Sequence, residues 1–156
     1  MKRPNILVKE STSGFLKNLF LKYVQAEKIY VEFSTDSLSD SVLVELAKEL
    51  AESYQGMRSE IGALLQKMPD SAHTLSKESF LLLTNRDRKD SNETTSTSPF
   101  AVIERIQQNE KNIFEYLQKA LISNRIPDDI IQILDRHAKS NLRNLQRVER
   151  IRTVEL

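Results

Sequence analysis

No cysteine occurs anywhere in the chain. That excludes disulfides, thiolate metal centres and cysteine nucleophiles, and the expected compartment is the reducing cytoplasm. Tryptophan is absent as well, and glycine and proline number only 3 and 4 in 156 residues. So few turn formers argue against a turn-rich all-β fold and for long helices. Gly14, Gly56 and Gly62 stand far apart, so neither a phosphate-cradling loop nor a glycine-flanked nucleophile elbow is available. Neither sign of charge dominates, since 23 basic and 22 acidic side chains leave a formal net charge of +1. A nucleic-acid binder usually carries a strong basic excess, so no nucleic-acid partner is expected. No apolar run approaches the ~20 residues of a membrane span, and Ile6–Val8 is too brief for the apolar core of a signal peptide. No membrane partner is expected either.

What the chain does have is helical periodicity. Hydrophobic residues make up 39% and charged residues 29%, the balance of a soluble globular protein. After an N-terminal tail over 1–12, the pattern predicts a single four-helix domain over 13–153. The first helix is expected over 13–33, with Phe15, Leu16, Leu19, Phe20, Tyr23, Ala26 and Tyr30 on one face. Leu21, Val24, Ile29 and Val31 widen that apolar surface, for the crossover or a second subunit to cover. The second helix is expected over 38–67, entered through an acidic variant of a capping box at Ser37 and Asp40. Its seam is Leu43, Leu46, Ala47, Leu50, Tyr54, Met57, Ile61, Leu64 and Leu65.

A third helix is expected over 99–123, with Ser98 as N-cap and Pro99 as first residue. A fourth, opened by Pro127 and started by Asp128 and Asp129, runs over 127–153. The short turn between them makes the two antiparallel neighbours. The fourth helix is read with Ile130, Ile131, Leu134, Ala138, Leu142, Leu145 and Val148 inward. Between the second and third helices lies a crossover over 68–98. It is expected to hold one short helix around Leu75–Leu83 and a mobile polar loop over 85–98. A crossover of that length permits the parallel middle pair of a ferritin-like bundle.

Two acidic residues contradict their surroundings. Glu110 falls in the middle of the face made by Ile103, Ile106, Ile113, Leu117 and Leu121. Glu27 falls between Leu16 and Phe20 in angle. A lone buried carboxylate costs several kcal/mol unless it is protonated, paired or metal-bound. Di-iron bundles place a Glu on each of two helices and Glu-x-x-His on each of the other two. Here no Glu of the second helix is followed three residues later by His, and the fourth offers Asp135 and His137, two apart. Each carboxylate is therefore expected to pair with a polar side chain, Arg58, Tyr54, Asn141 or His137, or to reach water near a bundle edge where the face tilts. His137 itself is placed at the surface margin of the fourth helix. The alternative is a metal site for iron or manganese using Glu27, Glu110, His137 and Asn141. The basic cluster Arg143, Arg147, Arg150 and Arg152 is read as a solvated face that suits the helix C-terminus.

Two stretches, DSVLVELAKELAESYQGMRSEIGALL at 40–65 and the run from Glu104 to Arg152, resemble a bacterial ferritin-like family of unknown function. Glu110, Tyr116, Ala120, Leu121 and Pro127 follow that family's order. Where the family carries a late histidine on its last helix this chain has Leu145, and its aromatic crossover helix is represented by Phe80. The resemblance implies a four-helix bundle and no established reaction. The expectation is thus an all-α, ferritin-like four-helix bundle with a degenerate di-iron-type core. It is expected to be non-enzymatic and without a cofactor, self-associating or binding a protein partner through the first helix. The alternative is a metal-binding oxidoreductase or metal store.

Overall fold

The computed structural model describes residues 12–35, 41–68, 98–123 and 125–155. All four elements among them are α-helices: α1 (Thr12–Thr35), α2 (Ser41–Gln66), α3 (Pro99–Leu121) and α4 (Asp128–Glu155). The residues expected to form the Ser37–Asp40 cap, the short crossover helix and, apart from Ser98, the polar loop over 85–98 lie outside the described residues. α1 and α2 belong to one compact unit, α3 and α4 to a second.

In the first unit, low-numbered residues of α1 meet high-numbered residues of α2. Phe20 lies beside Gly62, Tyr23 and Tyr30 contact Tyr54, and Glu27 reaches Arg58. The pair is therefore an antiparallel hairpin. Its core follows alternating steps of three and four residues. On α1 these are Leu16, Leu19, Tyr23, Ala26 and Tyr30, and on α2 Leu43, Ala47, Leu50, Tyr54, Met57 and Ile61, all buried. That spacing keeps one seam turned to the neighbour, as in coiled-coil packing. Tyr54 lies against both Tyr23 and Tyr30, with ring centroids 5.3 and 5.8 Å apart in tilted arrangements. Such aromatic pairs contribute about 0.5–1.5 kcal/mol each beyond their area.

α1 runs two residues past its expected end at Phe33. The hydroxyls of Ser34 and Thr35 donate to the carbonyls of Val31 and Glu32, occupying acceptors that the last turn leaves open. Of the four residues that widened its apolar surface, Val24 is buried, Leu21 and Ile29 are half-buried, and Val31 is exposed. The surplus apolar surface of α1 is thus smaller than its sequence implies.

The second hairpin starts as expected. Ser98 accepts a hydrogen bond from the Ala101 amide at 3.3 Å, and Pro99 supplies the pre-set φ of the first turn. α3 ends at Leu121 rather than 123, and the Pro127 carbonyl accepts the first bonds of α4 from Ile130 and Ile131. The seam of α3 is Ile103, Ile106, Glu110, Ile113, Leu117 and Ala120, all buried, whereas Leu121 is half-buried.

α4 is rotated from its expected orientation. Its buried residues are Ile130, Leu134, His137, Ala138, Asn141, Asn144 and Val148, while Leu142 is 42% exposed. His137 is therefore an interior residue, 1% exposed, and not a surface residue at the helix margin. The cause is register. Steps of four and three from Ile130 and Leu134 land on His137, Asn141, Asn144 and Val148. Hydrophobicity alone instead selects Leu142 and Leu145.

Candidate functional site

The inward carboxylates each sit on the first helix of a hairpin and bond to the second. Glu27 of α1 forms an ion pair with Arg58 of α2, Nε donating to Oε1 and Nη2 to Oε2 at 3.5 Å. Their side chains are 19% and 26% exposed, so the pair borders the core rather than occupying it. The planar guanidinium matches the carboxylate through two donors, which fixes geometry better than a lysine ammonium does. Arg58 is thus the partner that the edge position on α2 anticipates, and Tyr54 is packed between tyrosine rings.

Glu110 is 0% exposed. Its Oε1 accepts from Asn141 Nδ2 at 2.5 Å and from Asn144 Nδ2 at 3.2 Å. Two amides, one turn apart on α4, converge on one carboxylate oxygen of α3. Asn141 was an anticipated partner, whereas Asn144 was missed. The available signal was spacing: once Asn141 is inward, a step of three places Asn144 on the same seam. Glu27 to Arg58 and Glu110 to Asn141 both span 31 residues. The two hairpins thus carry the same device at the same separation, with a cationic donor in one and neutral amides in the other.

The flank of the α3–α4 hairpin opens into a groove of about 740 Å³. Phe114 and Leu145 are its apolar lining residues, with Gln107 and Arg152 among the polar ones. Gln107 donates to Glu149 at 2.8 Å and accepts from Arg152 at 3.3 Å. Leu145 lines this surface groove and is half-buried. His137 and Asn141, neighbours on the α4 seam, are both buried. Among the described residues, no three His, Cys, Asp or Glu side chains group closely enough to hold a metal ion. No described helix is long and apolar enough to cross a membrane.

Comparison with protein-family models, with curated proteins and with solved structures finds no match to this chain.

Proposed function

We propose that this chain is a non-enzymatic structural or protein-interaction module of the bacterial cytoplasm. Its two hairpins would be halves of one ferritin-like four-helix bundle with a degenerate di-iron-type core. One observation carries this proposal. Both inward carboxylates are engaged by hydrogen-bond donors of the neighbouring helix, Arg58 for Glu27 and the amides of Asn141 and Asn144 for Glu110. A donor hydrogen and a metal ion compete for the same carboxylate lone pairs, and these donors are supplied by the fold itself. A polar contact inside an apolar seam also has a structural use. Sliding one helix by a turn strands the carboxylate away from its donors, which disfavours other registers.

The rival is a metal-binding oxidoreductase or metal store. What favours it is the burial of His137 next to Asn141 on the seam that meets Glu110. Elemental analysis of protein purified without added metal discriminates the two. The expected result is iron and manganese far below one per chain, unchanged by Glu110→Ala. Stoichiometric metal that disappears in Glu110→Ala would replace the scaffold with the rival.

A further inference from the structure

The outer face of α4 carries a row of cations. Arg136, Lys139, Arg143, Arg147 and Arg150 recur at steps of three and four residues, so at about 100° per residue they share one arc. They extend over roughly 21 Å of helix at 1.5 Å per residue. That arc lies across the helix from the seam of Leu134, His137, Asn141 and Val148. Between Arg136 and Arg150 no acidic residue of α4 falls within it. Asp135 flanks it and bonds Lys139 at 3.1 Å, and Glu149 turns away to Gln107. The row ends at Val154, one step of four beyond Arg150 and 73% exposed.

The same chain holds the complementary pattern. On the outer face of α2, Glu45, Glu49 and Glu52 are exposed at steps of four and three. These are the steps of Arg143, Arg147 and Arg150. The next step of four reaches Gly56, where an added Cβ would meet nothing within 4 Å. The corresponding step on α4 reaches Val154. Two helices lying parallel bring equivalent positions face to face, as in a parallel coiled coil. Arg143, Arg147 and Arg150 then meet Glu45, Glu49 and Glu52, and Val154 meets the open surface at Gly56.

We propose that α4 of one chain docks in parallel on α2 of a second copy through these matched rows. This deepens the interaction role proposed above by naming the partner, and it moves the contact from α1 to α2 and α4. The contact joins two different surfaces, so each chain keeps one of each free for a further copy. Association should rise with protein concentration and fall with salt, because exposed ion pairs are screened beyond about 8 Å at physiological ionic strength.

Sedimentation velocity over a concentration series, at 50 mM and 500 mM salt, tests it with two charge-reversed chains. One carries Arg143→Glu, Arg147→Glu and Arg150→Glu, and the other Glu45→Lys, Glu49→Lys and Glu52→Lys. Circular dichroism melts confirm that both fold. Wild-type protein should associate at low salt, at least tenfold more weakly at high salt. Each variant alone should stay monomeric, and an equimolar mixture should associate again, since acidic α4 then meets basic α2 and the reverse. A monomeric wild type, unaltered association of the arginine variant, or a mixture without rescue would each overturn the docking surface. So would arginine-dependent binding of polyuridylate with no self-association, which would assign the row to nucleic acid. Metal content is untouched by all six substitutions, so failure here is separable from failure of the scaffold proposal.

Discussion

Replacing Glu110 by alanine removes the acceptor on which two α4 amides converge. Asn141 is 0% exposed, so its stranded Nδ2 donor has no route to water. A buried unsatisfied donor costs about 1–3 kcal/mol. Asn144, 7% exposed, recovers part of its loss through solvent at the hairpin edge. Truncating the side chain leaves a small cavity, and release from holding a buried carboxylate acts in the opposite direction. The net expectation is a loss of about 2 kcal/mol, which lowers Tm by roughly 4–8 °C for a chain of this size. Glu110→Gln keeps a carbonyl acceptor and should remain within about 1 kcal/mol of wild type. Glu110→Leu fills the space yet still strands the amides, so it should resemble alanine. Glu110→Leu combined with Asn141→Leu removes both ends of the contact and should recover much of the loss. Urea denaturation of wild type, Glu110→Leu, Asn141→Leu and the double variant, followed by circular dichroism, supplies the four free energies of the cycle, and the coupling between positions 110 and 141 should be on the order of 1–2 kcal/mol. Single variants as stable as wild type, with no coupling, would refute the reasoning.

Other substitutions probe the rest of the framework. Glu27→Ala should cost less than Glu110→Ala, about 0.5–1 kcal/mol, and the difference from wild type should shrink at high salt, because its pair borders solvent. Gly56→Ala should stabilise by about 0.5–1 kcal/mol, since the added methyl meets nothing and α2 gains helix propensity, which thermal melts will register. Gly62→Ala should gain less, because its Cβ would lie 3.3 Å from Phe20 Cε1 and that ring must shift. The register of α4 is tested by comparing His137→Ala with Leu142→Ala: the histidine variant should lose more than 1 kcal/mol and the leucine variant under about 0.5 kcal/mol.

The contrast between His137 and Leu142 marks where sequence patterning stopped being informative. On α1, α2 and α3 the inward positions are mostly Leu, Ile, Ala and Tyr, so apolar identity and helical period point to one face. The caps at Ser98 and Pro99 were legible for a local reason, since a hydroxyl before a proline suits a first turn whatever the tertiary context. On α4 identity and period disagree. Three of its seam positions are His137, Asn141 and Asn144, while Leu142 and Leu145 lie beside the seam. Burial of Asn141 and Asn144 there depends on Glu110 across the hairpin, a partner that α4's own periodicity does not reveal. The recurrence of a 31-residue separation was hidden for a similar reason, because an arginine donor in one hairpin and an asparagine donor in the other share no composition signal. Glu110 and Glu27 did stand out, as charges on otherwise apolar faces. Their partners required knowing which residues of the adjoining helix lie at the same level.

Hydrogen exchange of the Asn141 side-chain amide, followed by NMR in wild type and in Glu110→Gln and Glu110→Ala, tests most directly whether the inward carboxylate is held by α4. The expected result is slow exchange of Asn141 Nδ2 hydrogens in wild type, largely kept in Glu110→Gln and lost in Glu110→Ala while the α4 backbone stays protected. An Asn141 amide that exchanges as fast as a surface asparagine in the native protein would contradict it.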